Sequence, residues 1–281
     1  MSYEQSLGTN PFKFGFIGSS DGHNSAGPTE EDNYFGKIGI NDGTPEIRMD
    51  TDPKKFSPRL KSAAGLAGVW AKENTREAIY EALERKETFA TSGPRIKMRF
   101  FAGWNLKVDS LENEDWVTDA YTNGVPMGSD LKSQESGGRS QSPTFIIEAI
   151  KDSEGANLDR VQMIKGYLDK ERKPQDKIFE VVWAGERTVG SNGKLPAIGN
   201  TVDIPNASYT NNIGAVSFQT IWTDPEFDGS QSAFYYLRVL EIPTPRWTTY
   251  DAKTLGIAPP TDVTATIQER AWSSPICYTP K

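Results

Sequence analysis

Thr88-Phe89-Ala90-Thr91-Ser92-Gly93-Pro94-Arg95-Ile96 separates two kinds of pattern in this chain. Ser92-Gly93-Pro94 interrupts an apolar run with the residue types that end regular structure. Before it stand an alternating apolar stretch at 12–17, a long loop-like segment from 24 to 68 and one helix, too little to close a core. Past Gly93 the sequence turns to repeated strands divided by turn-rich segments, at 96–102, 144–151, 160–169, 177–184, 215–222 and 233–241. That rhythm predicts an antiparallel sandwich. Alternation at Val161 and Met163, and through Phe218, Thr220 and Trp222, fits strands with one buried face.

The helix is read over 75–87. Ala78, Ile79, Ala82 and Leu83 form one apolar face, Asn74 or Thr75 can cap its start, and Glu77 suits its first turn.

One histidine occurs in the 281 residues. It lies in Gly18-Ser19-Ser20-Asp21-Gly22-His23-Asn24, directly after residues 12–17, which read as a strand delivering polar side chains at its C-terminal end. Gly22 permits the backbone to turn so that Asp21 and His23 face one ion. Carboxylate and imidazole suit Zn, Mn or Fe. The competing reading is a turn with a solvated imidazole, since a catalytic metal takes three or more protein ligands and no second histidine exists. Glu30, Glu31 and Asp32 are the nearest acids and read as solvated loop charges, as do Asp50 and Asp52.

Taken together, Gly18 to Asn24, the helix running into Phe89 to Ile96, Phe234-Tyr235-Tyr236-Leu237-Arg238-Val239-Leu240-Glu241, Thr244-Pro245-Arg246-Trp247-Thr248-Thr249-Tyr250-Asp251 and Glu269-Arg270-Ala271-Trp272-Ser273-Ser274-Pro275-Ile276 resemble the C-terminal part of the DUF3604 family, related to the PHP group of amidohydrolase-like proteins. The resemblance covers nearly the whole chain. It implies an α/β plus β architecture: residues 1–92 as the C-terminal portion of a PHP-like (β/α) barrel with a long loop, and 93–281 as a β-sandwich-like domain. It further implies that Asp21 and His23 are catalytic metal ligands, that the metal is divalent, and that the parent activity is hydrolysis of a phosphoester or related ester. Arg95, following the last barrel strand, would face the substrate at the site mouth. The upstream His-x-His strand and further acidic ligands of the family are not in this sequence. The expectation is therefore an incomplete hydrolase, inactive as an isolated chain and completed by an N-terminal half or an oligomer partner. The alternative is a non-catalytic β-sandwich accessory or interaction module, needing no cofactor.

Composition fits a β-rich globular chain: 36% hydrophobic residues, with 25 Gly and 18 Pro supplying turns. A net charge of −7 argues against a nucleic-acid surface, which needs excess Lys and Arg. Residues 1–5 carry neither a basic region nor an apolar core, so no leader is read there. Asp224-Pro225-Glu226-Phe227-Asp228-Gly229-Ser230 spaces oxygen ligands at alternate positions but lacks the closing Glu of a calcium loop, and reads as a turn. Trp183, Trp222 and Trp247 read as sandwich core. Arg238, Arg246 and Arg270 are candidates for strand-linking ion pairs. Cys277 has no partner for an internal disulfide and reads as a packing residue.

Overall fold

The computed structural model describes residues 7–50, 52, 58–106, 111–134 and 141–280. Its larger sheet has eight strands. β7 (Leu158–Leu168) and β10 (Ala233–Glu241) pair antiparallel along their length at its centre, and β8 (Pro174–Trp183) follows on the far edge of β7. The other edge of β10 takes β13 (Arg270–Ser273) and β14 (Ile276–Thr279), which are divided at Ser274-Pro275. Pro275 has no N–H to give to a ladder, which accounts for a break there. β2 (Thr88–Thr91) continues beyond β13, and β1 (Leu66–Val69) beyond β2. β5 (Asp130–Lys132) lies parallel to β14. The second sheet is antiparallel, ordered β4 (Val125–Pro126), β3 (Lys97–Gly103), β6 (Thr144–Ile150) and β9 (Ser217–Thr223).

The main core joins the two sheets. Met98, Phe100, Phe145 and Ile147 from the smaller one pack with Val161, Met163, Tyr235, Leu237 and Val239 from the larger. Neighbouring residues on β3 and β6 point the opposite way, and there Phe101 and Ile146 meet Leu106, Trp116 and Ala120. Helix α4 (Trp116–Asn123) thus covers the outer face of that sheet. Burial on both faces explains why Met-Arg-Phe-Phe-Ala and Phe-Ile-Ile carry consecutive apolar residues rather than a clean alternation. Two glycines stand directly across from phenylalanines, Gly68 opposite Phe89 and Gly166 opposite Phe234. In each case the ring lies over the glycine, and a β-carbon there would sit 2.2 Å from a ring atom.

The segment expected to belong to a barrel takes another form. No closed barrel forms among the described residues. β2, anticipated as the last inward strand of a barrel, pairs antiparallel with both β1 and β13. A (β/α) barrel needs parallel neighbours joined by crossovers, whereas α3 (Arg76–Glu84) returns the chain to run antiparallel beside β1. All four residues of β2 are buried, in the same sheet as β7 and β10. Residues 12–17 are not a regular strand. They are tied down by single bonds, Phe16 N–H to Ser274 Oγ at 2.8 Å and Thr88 Oγ1–H to the Phe16 carbonyl at 2.9 Å. Phe12, Phe14 and Ile17 face outward, exposed at 59, 58 and 58%, while Phe16 packs edge-on against Tyr236.

The six strands anticipated after Gly93 are all present, displaced at their ends by three residues at most. The helix is α3, capped as expected by Thr75, whose Oγ1 accepts from Ala78 N–H at 3.3 Å. Ala78 and Ala82 are its buried residues, while Leu83 is exposed. No described helix is long and apolar enough to cross a membrane. Residues 1–5, read above for a leader, lie outside the described residues.

The 24–68 segment is held by a second, smaller core. Its described residues include the short α-helical turns α1 (Gly39–Asp42) and α2 (Pro45–Arg48) and dock on α5 (Trp247–Leu255). Trp247 is fully buried there, stacked on Tyr34 at 4.6 Å and donating through Nε1 to the Lys61 carbonyl at 2.9 Å. It therefore packs a loop against a helix rather than filling the sandwich. Arg48 grips Asp251 through two bonds of 2.5 and 2.7 Å, both side chains buried. Gly256 ends α5 at φ 66°, with the Ile257 N–H reaching the Ala252 carbonyl at 3.0 Å in a Schellman closure. The arginines expected to link strands by ion pairs hydrogen-bond to neutral oxygens instead. Arg246 donates to the carbonyls of Arg59 and Lys61, Arg238 to Gln162 Oε1, and Arg270 to the Gln268 carbonyl.

Candidate functional site

Two places collect polar chemistry. The first is the 18–24 turn. Gly18 lies against the start of β1, its N–H donating to the Leu66 carbonyl at 3.1 Å, and a β-carbon would fall 2.4 Å from that oxygen. The Gly65 N–H returns a bond to the Ser19 carbonyl at 3.0 Å. Asp21 then takes a left-handed backbone, φ 50°, and His23 N–H donates to the Lys37 carbonyl at 2.7 Å. The result brings the two expected ligands together: His23 Nε2 stands 3.8 Å from Asp21 Oδ1. Both side chains are open, 64% exposed for His23 and 85% for Asp21.

Two ligands on one tetrahedral zinc at ~2.1 Å are about 3.4 Å apart, so a small side-chain adjustment would let this pair share an ion. A third ligand is lacking: among the described residues no group of three His, Cys, Asp or Glu is placed to hold a metal. Asp21 and His23 fit part of a metal centre and not a whole one. Arg95 stands elsewhere. Its backbone N–H donates to Asp152 Oδ2 at 2.7 Å, and its exposed guanidinium reaches Glu30 Oε1 at 3.4 Å.

Arg95 sits at the rim of the second place, a cavity of about 200 Å³. Glu31, Asp152, Tyr209, Glu241, Tyr250 and Glu269 line it. The expectation that Glu31 is a solvated loop charge is corrected here. Its Oε2 accepts the first N–H of α5, from Trp247, at 2.5 Å, and its Oε1 is shut away from solvent. Glu241 ends β10 and is 1% exposed; Glu269 immediately precedes β13 and is 4% exposed. Burial pushes the Glu241 carboxyl well above the usual range, and the charges of Glu269 and Asp152 add to the effect. Burial also raises Glu269, with Glu31 reinforcing it, and raises Glu31 against the opposing Trp247 N–H. Tyr209 and Tyr250 are raised by burial as well, so both phenols stay neutral across the physiological range.

Glu241 and Glu269 were overlooked as site residues because each reads as one polar position in a strand-like run. Leu240 and Ile242 on either side of Glu241 are themselves buried, which only the fold reveals.

Asp224 is also explained. It is fully buried beneath the turn, its Oδ2 accepting from Lys165 Nζ at 2.5 Å and Tyr235 O–H at 2.7 Å, which makes the segment a turn anchor rather than a calcium loop.

The family model described as "Protein of unknown function (DUF3604)" matches residues 1–280, and the chain belongs to that family. No curated protein and no solved structure matches it.

Proposed function

We propose that this DUF3604 protein forms part of a metal-dependent hydrolase of PHP type, acting on a phosphoester or related ester, and that it is inactive alone. The observation that carries the reading is the approach of Asp21 Oδ1 and His23 Nε2 to 3.8 Å on an exposed turn. An imidazole and a carboxylate oriented together and open to solvent can accept a divalent ion whose other ligands come from outside the described residues. Phe12, Phe14 and Ile17 expose an apolar surface in the segment leading to that turn, and surfaces of this kind mark contacts with other protein.

The test is metal binding by the purified chain, measured by calorimetry with Zn²⁺ or Mn²⁺ for the wild type and His23→Ala. The expected result is weak binding, reduced in the variant by at least the ~10–100-fold that lost supporting partners cost metal sites. Equal binding by both proteins refutes the half-site.

A second reading, a non-catalytic sandwich that binds a ligand, is favoured by one different observation. The acidic cavity is preformed and shares no lining residue with the Asp21–His23 turn.

A further inference from the structure

We propose that the acidic cavity beside Arg95 binds a small organic cation carrying a primary ammonium group, held between Glu241 and Glu269 and against the rings of Tyr209 and Tyr250. The inference rests on a shortage of donors. Glu31 Oε1, Glu241 Oε1 and Glu269 Oε1 are buried and meet no donor from another kind of residue, although the Glu31 and Glu269 carboxyls lie within hydrogen-bond reach of each other. A carboxylate oxygen only accepts, and an unmet buried acceptor is costly.

Most of the nearby donors are already committed. Arg95 serves Glu30 and Asp152. Lys151 Nζ donates to the carbonyls of Asp152 and Gly155, at 2.9 and 2.7 Å. The Ser92 hydroxyl is spent on Glu269 Oε2, and the Trp247 N–H on Glu31 Oε2. These three oxygens belong to residues that line the cavity, where the neutral Tyr209 and Tyr250 hydroxyls are the remaining protein donors, and an ammonium would bring three more.

Size and lining select among cations. A space of about 200 Å³ exceeds a single water's share of ~30 Å³ several-fold, which leaves room for a short carbon chain behind the charge. Half-buried Tyr209 and Tyr250 offer ring faces of the kind that attract a desolvated cation. A bare metal ion fits less well, since no three described carboxylates converge as an ion's coordination shell requires. An anionic ligand would meet carboxylates on most sides.

The experiment uses the full chain at mildly alkaline pH, with n-propylammonium and 1,4-diaminobutane as probes and CaCl₂ and MnCl₂ as comparators. Thermal shift and calorimetry are read for the wild type, Glu241→Gln and Glu269→Gln. The ammonium probes should stabilise the wild type saturably in the millimolar range, and each variant should weaken binding by at least about ten-fold, the loss of one charged partner. Circular dichroism of the isosteric variants shows that they are folded, and Glu241→Gln alone should be no less stable than the wild type. No saturable shift, undiminished binding by both variants, or a divalent ion binding in place of the ammonium probes would each overturn the proposal. The variants that test the Asp21–His23 pair are different ones, so either reading can fail alone.

Discussion

Replacing Asp224 should destabilise the chain more than any change at its exposed loops. Asp224 and Lys165 have side chains 0% and 4% exposed and meet at 2.5 Å. Asp224 Oδ2 also accepts from Tyr235 O–H, and Oδ1 from Glu226 N–H at 2.8 Å. Lys165 has one other acceptor, the Glu226 carbonyl at 2.8 Å. Asp224→Ala leaves a buried ammonium with a single neutral partner and orphans two further donors. Breaking a buried pair from one side costs about 3–5 kcal/mol. At about 2–4 °C per kcal/mol for chains of this size class, the melting temperature should fall by about 6–20 °C. Asp224→Asn loses the charge and keeps one acceptor oxygen, enough for Tyr235 O–H or Glu226 N–H but not both, so it should fall within that range and lose less than Asp224→Ala. The double variant Lys165→Met/Asp224→Leu removes both charges and should recover much of the loss, because an apolar pair of similar volume avoids the desolvation cost. Urea unfolding of the wild type, Lys165→Met, Asp224→Leu and the double variant closes the cycle and gives the coupling directly. A fall of less than about 2 °C in Asp224→Ala, which at this size is about 0.5–1 kcal/mol, would refute the reasoning. Strict additivity of the two sites would do the same.

Gly166→Ala should destabilise by about 1–3 kcal/mol, the usual cost of overpacking, because its β-carbon would meet the Phe234 ring at 2.2 Å; in a Phe234→Ala background the same change should cost little, and a cost that persists there would place the strain in the backbone. The acidic cavity gives a pH prediction. Glu241 and Glu269 have folded-state values raised above their unfolded ones. Their contribution is therefore fully present below about pH 4, near the unfolded value, and is lost as pH rises through the raised folded values. Glu241→Gln should gain stability over the wild type at about pH 8 and gain less at about pH 5. A difference in melting temperature that is flat or reversed between those conditions contradicts the assignment of a buried, unpaired carboxyl.

The strands after Gly93 were legible because local composition and burial agree there. β10 is the clearest case: Ala233, Tyr235, Leu237 and Val239 alternate toward the core exactly where period two places them on one face. The barrel expectation failed for a physical reason. A short buried strand such as Thr88-Phe89-Ala90-Thr91 is apolar on both faces whether its neighbours run parallel or antiparallel, so its composition carries no information about direction. Direction here follows from α3 and from the split strand β13–β14, whose Ser274-Pro275 break leaves the Ser274 hydroxyl within reach of Phe16 N–H. The same difficulty hid the role of Arg246-Trp247. Those residues look like sheet or core residues locally, and only the fold brings Arg59, Lys61 and Tyr34 to meet them.

The two candidate sites differ in how far sequence could reach them. Asp21 and His23 are two residues apart, so a single turn decides their geometry, although its left-handed residue is Asp21 rather than Gly22. Glu31, Glu241 and Glu269 come from a loop, a strand end and the residue before another strand, and nothing local distinguishes them from solvated carboxylates. What distinguishes them is packing: α5 folds over the loop, the Trp247 N–H takes one oxygen of Glu31, and the sheet encloses the other two side chains. Three enclosed carboxyls, each with one oxygen short of a donor, cost stability that a purely structural core avoids by using apolar residues. Glu241→Gln separates the two accounts of them. A ligand site made of carboxylates should become more stable and less able to bind when one is neutralised, whereas carboxyls that merely hold the fold should lose stability with the change.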